Sequence, residues 1–413
     1  MKIASEGGWR FPGKDSASRK LNMNNRMDFD KKTDRTGTGC VKYDLRKAVF
    51  GSGDVIPLWV ADMDFDTPWF IRYAMKNRMD HPIYGYSIAP EGYYESIISW
   101  AARRFGWAIN KSWIAGCSGV IPSLGVAILE FTSPGDKIII QPPVYPPFYS
   151  AVAVNGREVV VNRLVESEGR YTMDFDDLEK KAAGAKMIVL CNPHNPVGRV
   201  WKKEELELLA EICIRHNVLI VSDDIHADIV YVPNKYVPVA SLSEEVAQQT
   251  LSLLSPSKTF NIPGLAASWA VCANMTMMSR FKRRLDAMHL GFGNLFGAIA
   301  VEAAYRNGGN WLDDLLDYLA GNIALVENFL KEQIPEIGFS RPEGTYLLWL
   351  DCRRLKLSDE ELKQFMIKKA RIGLNDGPAF GQGGSGFQRM NIGCQRSTLE
   401  EALDRLSGAM KAL

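Results

Sequence analysis

Between residues 137 and 274 the chain alternates short, apolar, β-branched runs with segments of helical period, and that alternation leaves few folds open. The runs are KIIIQPP (137–143), EVVVNRL (158–164), KMIVLCNP (186–193), NVLIVSDD (217–224), TLSLLSPS (250–257) and ASWAVCAN (267–274). Strands apolar on both faces need cover on both sides, which predicts an α/β fold with a mainly parallel sheet between helices. KEELELLAEICIRH (203–216) supplies one such helix, with Leu206, Leu209, Ala210 and Cys213 on one stripe. Beyond about residue 305 the pattern changes. WLDDLLDYLAGNIALVENFLKEQI (311–334) reads as a long helix, followed by strands in GTYLLWLDC (344–352) and FQRMNIGC (387–394) with helices around them. This predicts a smaller α+β domain.

A chain of 413 residues holds two or three domains. Its 49 Lys and Arg against 48 Asp and Glu give no basic footprint for nucleic acid or an anionic membrane. Seven cysteines lack CxxC pairing, which predicts a reducing, cytoplasmic setting rather than a zinc ribbon or disulfide framework. No apolar run approaches the roughly 18 residues of a bilayer span. Residues 1–26, rich in Gly, Ser, Asn and basic groups, read as a flexible extension without a signal-peptide core.

Several motifs carry chemistry, and each has a bland rival. GQGGSG (381–386) matches GxGxxG, but a strand follows it where a helix should open, so it reads as a mobile loop. Ser255-x-x-Lys258 matches the SxxK of serine acyl-transfer enzymes, yet no KTG exists and Pro256 and Pro263 oppose a helix there. Lys258 is then either a surface lysine or a Schiff-base lysine. Gly116, Ser118 and Gly119 lead into Pro122 and an apolar helix, which suits a phosphate at a helix start as well as an empty tight turn. Asn195 in NPHNPVG and Asp223 in SDDIHAD stand at strand ends, where α/β folds bind ligands. A carboxylate there needs a cationic partner, or else serves as a helix cap. Asp223, Asp224, His226 and Asp228 lack the companions of a metal site.

In this order these residues resemble the fold-type I pyridoxal-phosphate enzymes of the aspartate aminotransferase superfamily. The chain is most similar to the MalY/PatB-type cystathionine β-lyases, on VKYD (41–44), PLWVADMDF (57–65), YGY (84–86), PVYPPF (143–148), NPHNPVGRVW (192–201), SDDIHAD (222–228), SPSKTFNIPGL (255–265) and RMNIGC (389–394). The resemblance implies an aspartate aminotransferase-like fold, with a large cofactor-binding domain over 76–310 and a small domain from 27–75 and 311–413. It implies Lys258 as the Schiff-base and proton-transfer lysine, Asp223 on the pyridine nitrogen, Asn195 on the ring hydroxyl and Tyr145 stacked on the ring. Gly119, Val120, Ile121, Ser255 and Ser257 would hold the phosphate, His226 would lie near the ring hydroxyl, and Arg389 with Val60, Ala61 and Asn195 would bind substrate. Tyr86 would reach the neighbouring subunit's site in a homodimer. Two departures stand out: Ala266 occupies the place of a phosphate-binding arginine, and Pro146 that of a second tyrosine. The implied activity is β-elimination from L-cystathionine or other cysteine S-conjugates, with an aminotransferase as the alternative. The partner is a small amino acid, with no nucleic acid and no membrane.

Overall fold

The computed structural model describes residues 27–413 apart from residue 292, so the expected extension over 1–26 lies outside the described residues. Seven strands form the main sheet. From edge to edge they are Ile114–Cys117, Ser268–Val271, Thr250–Leu254, Leu219–Asp223, Ala185–Cys191, Lys137–Ile140 and Glu158–Val161. All run parallel except Ser268–Val271, which is antiparallel to both neighbours.

Side-chain alternation explains how this sheet is buried. Ile138, Ile140, Met187 and Val189 face one layer, where Leu124, Ala127 and Ile128 of helix Val120–Phe131 cover them. Ile139, Ile188, Leu190 and Ile220 face the other, against Leu206, Leu209, Ala210 and Cys213 of helix Lys203–Arg215. That helix is the expected one, with its expected stripe buried. The edge strand Ile114–Cys117 was not expected from the sequence. Its Ile-Ala-Gly-Cys run has a single β-branched residue, and its order comes from pairing with Ser268–Val271.

The C-terminal part builds an antiparallel sheet in the order Gly338–Phe339, Leu347–Asp351, Phe387–Asn391, Asn375–Asp376, backed by helices Gly309–Gln333 and Arg396–Met410. Ile56–Pro57 pairs with Ile372–Gly373, which ties the N-terminal segment to this unit. The boundary expected at residue 75 falls inside helix Trp69–Met79.

GQGGSG is closely packed, not the loose loop its composition suggests. A Cβ on Gly384 would meet the Gly377 carbonyl, and one on Gly381 would meet the Tyr149 ring. Its neighbour Phe380 accepts a backbone hydrogen bond from Val144 at 3.0 Å, clipping the small sheet to the segment that carries Tyr145. Among the described residues no helix is long and apolar enough to cross a membrane.

Candidate active site

Parallel strands deliver their C-terminal ends to one place, and three of them carry the key groups. Asn195 follows the Ala185–Cys191 strand, Asp223 ends Leu219–Asp223, and Lys258 follows Thr250–Leu254. All three line a cavity of about 210 Å³ together with Gly119, Val120, Ile121, Tyr145, His226, Ser255, Ser257 and Ala61. Ile225, Cys191, Pro122, Pro263, Ala266 and Ala267 complete the wall. None of these was a candidate site residue, although Pro122 and Ala266 stood out in the sequence as a helix start and as the place of an absent arginine, and Ile225 lies inside SDDIHAD.

Lys258 is partly buried, and its Nζ donates to the Ala61 carbonyl at 2.6 Å. Burial, then Arg389, lowers its pKa to about 8, against weaker support from Asp62 and Asp223. A substantial neutral fraction therefore exists near neutrality, which an amine needs in order to attack a carbonyl. Burial lifts Asp223 to about 7, although its carboxylate accepts from the Ile225 amide at 3.1 Å and feels Lys258. His226 is driven well below its ordinary value by burial, Lys258 and Arg389, so its ring is neutral. Its Nδ1 is buried without a partner.

One end of the cavity is built for an anion. Gly119 holds φ at +129°, and helix Val120–Phe131 begins there without a side-chain cap. Its first residues, Val120 and Ile121, line the cavity at the positive end of the helix dipole. The Gly119 amide is taken by Ser268 Oγ at 2.9 Å. Ser255 Oγ donates to the Ala267 carbonyl at 2.6 Å and lies 2.8 Å from Ser257 Oγ, which keeps both hydroxyls at the same end. Ala266 does face the cavity, so no arginine lines it among the described residues.

Arg389 stands just behind, on strand Phe387–Asn391. Its guanidinium donates to Asn195 Oδ1 (2.9 Å), the Trp59 carbonyl (2.9 Å) and Asn375 Oδ1 (2.6 Å), and its buried Nε has no partner. All these acceptors are neutral. Burial lowers its pKa to about 10. A buried cation with only neutral neighbours is costly unless an anion joins it. Val60 lies off the first cavity, beside a second one of about 580 Å³ that shares Ala61 and Lys258 with it. Tyr86 lines neither, and stands fully exposed beside Ile83, Tyr84 and Ile88.

The enclosed space suits a flat ring: Tyr145 and Ile225 offer apolar surface, Asn195, Asp223 and His226 offer polar edges, an anion cradle closes one end, and a reactive amine stands in the wall. Residues 54–406 match the family described as aminotransferase class I and II. Cystathionine beta-lyase PatB of Bacillus subtilis is 42% identical over 386 residues, 93% of this chain and 100% of that protein. Protein MalY of Escherichia coli is 33% identical over 94% of this chain and 100% of its own. Among solved structures, cystalysin from Treponema denticola, which contains a pyridoxal 5'-phosphate cofactor, superposes with a TM-score of 0.91 at 37% identity, over 94% of this chain and 99% of that one.

Proposed function

The chain belongs to the class I and II aminotransferase family, and we propose that it is a pyridoxal-phosphate-dependent carbon–sulfur β-lyase. Its substrate would be L-cystathionine or a related cysteine S-conjugate, split into a thiol, pyruvate and ammonia with uptake of one water. The observation that carries this reading is a partly buried amine with a lowered pKa, sharing one cavity with an anion cradle and a strand-tip carboxylate. Likeness to a cystathionine beta-lyase over the whole of that protein's length supports elimination over amino-group transfer.

Pyridoxal phosphate supplies, when bound, the electron sink for the substrate's breaking Cα–H bond. Lys258 Nζ would bind the cofactor covalently and afterwards take the Cα proton. Asp223 would hold the proton on the ring nitrogen; pairing with that cation would draw its own pKa down from about 7. Asn195 and the neutral His226 would hydrogen-bond the ring hydroxyl, and Tyr145 would cover the ring face. Gly119, whose own amide goes to Ser268, would let the phosphate approach the N–H groups of Val120 and Ile121, with Ser255 and Ser257 beside them.

Arg389 would take the substrate α-carboxylate in a forked pair, exchanging neutral acceptors for the anion that its burial calls for. Val60 and Ala61 would border the substrate, whose leaving group would extend into the second cavity. Tyr86 would complete the partner subunit's site in a homodimer, which the exposed apolar run around it supports. Residues 76–310 would form the cofactor-binding domain, with 27–75 and 311–413 as the small one.

The deciding experiment incubates purified protein with L-cystathionine, with and without a 2-oxo acid. Pyruvate and homocysteine formed without the oxo acid are expected. Amino-group transfer alone would replace the lyase reading by the aminotransferase one.

A further inference from the structure

From Trp59 to Phe65 the backbone is irregular, yet side chains claim its carbonyls one after another. Arg389 holds Trp59 at 2.9 Å. The Asn391 amide alone holds both Val60 and Asp62, each at 2.6 Å. Asn261 takes Met63 (2.8 Å) and Phe65 (2.7 Å), and Gln395 takes Asp64 (2.9 Å). Fully buried Lys42 and half-buried Arg35 anchor the Asp64 carboxylate at 2.7 and 2.6 Å. Buried backbone must be satisfied somewhere, but a helix or strand would do that with its own amides. Here the satisfaction comes from outside, and its result is one fixed carbonyl.

That carbonyl is Ala61. Its neighbours on both sides are pinned by Asn391, and it accepts from Lys258 Nζ at 2.6 Å and from Tyr346 Oη at 2.8 Å. Tyr346 is itself fully buried. An amine freed into a dry pocket loses water and needs a replacement acceptor. We propose that the Ala61 carbonyl is the dock of the Lys258 amine whenever that amine is not covalently engaged, aimed by Asn391 as a positioning residue and weakened as an acceptor by Tyr346. The consequence for turnover rests on the function proposed above; the docking itself does not. The other charged or titratable groups facing the amine are Arg389, Asp62, Asp223 and His226.

The test titrates Lys258 in the cofactor-free full chain by competitive acetic-anhydride labelling across pH 6–10, read by peptide mass spectrometry. A hydrogen bond to a charged donor favours the ammonium, so Asn391→Ala, which frees the carbonyl to turn away, should lower the Lys258 midpoint by about one to two pH units. Tyr346→Phe removes the competing donor and should raise it. A purely structural role predicts no such opposition of sign. In the holoenzyme, Asn391→Ala should lower kcat for L-cystathionine with little change in KM, because the displaced amine loses its dock only after substrate has bound. Equal midpoints in all three proteins, or shifts of one sign in both variants, would overturn the proposal. Should Asn391→Ala not fold, Tyr346→Phe decides alone: a rise supports the dock, and an unchanged or lowered midpoint overturns it. A wild type inert toward L-cystathionine would remove the lyase reading and leave the labelling result standing.

Discussion

Lys258 and Arg389 are neighbouring cations, and the arginine tunes the lysine. Arg389 is the largest electrostatic reason, after burial, for the lysine's lowered pKa of about 8. Since only the neutral amine attacks a carbonyl, covalent capture of pyridoxal phosphate by cofactor-free protein should speed up as pH rises through that value. The expected gain is about tenfold between pH 7 and 9, with a plateau above, followed by the growth of visible absorbance. Lys258→Ala should remove the covalent absorption band altogether and reduce turnover by on the order of 10³-fold or more. Retention of that band would refute the assignment. Arg389→Lys keeps the charge but loses the planar fork. It should raise KM for L-cystathionine by about one to two orders of magnitude, measured by steady-state kinetics, while the cofactor's absorbance stays in place.

At the scale of elements, strand Leu219–Asp223 ends in two adjacent buried carboxylates, Asp223 and Asp224, both raised chiefly by burial, to about 7 and about 8. The folded chain therefore binds protons that the unfolded chain, with carboxyls near 3.8, has already released. Stability must then fall as pH rises from about 4 through about 8, and level off above. His194 and His226, lowered by burial, act in the opposite sense below their ordinary value of 6.5. The comparison of wild type with Asp224→Asn cancels them. Relative to wild type, the asparagine variant should gain on the order of a few kcal/mol in denaturant unfolding at pH 8 over its standing at pH 5. A constant difference across that range would contradict the burial argument. The strand itself was legible in NVLIVSDD because its residues are apolar on both faces. The Asn195, Asp223 and Lys258 positions stood out because polar groups end apolar runs there, but a helix cap or a surface lysine fitted as well, and only the family resemblance implied their roles. The Trp59–Phe65 loop is different. Its part in the site depends on Asn391, Gln395 and Tyr346, more than 280 residues away, and no local pattern encodes such pairings.

At the scale of the whole molecule, the surface around Tyr86 bears the same mark of incompleteness as the guanidinium of Arg389. Ile83, Tyr84, Tyr86 and Ile88 all stand exposed within six residues, beside an open cavity lined by Gly116, Gly291 and Gly293. A second copy would cover this surface, and the proposed reach of Tyr86 into that copy's site has a strict arithmetic consequence. Lys258→Ala fails in the site of its own chain, whereas Tyr86→Ala fails in the site of its partner. Dissociating and reassociating an equal mixture of the two inactive homodimers gives heterodimers with one doubly damaged site and one intact site. Since random pairing makes half of the dimers mixed, about a quarter of wild-type specific activity should return. A mixture that stays inactive, although subunit exchange is confirmed by native mass spectrometry, would place Tyr86 outside the partner's site. Recovery cannot come from within either chain, because neither mutant carries both groups. The dimer would then be a condition of the chemistry itself, not only of stability.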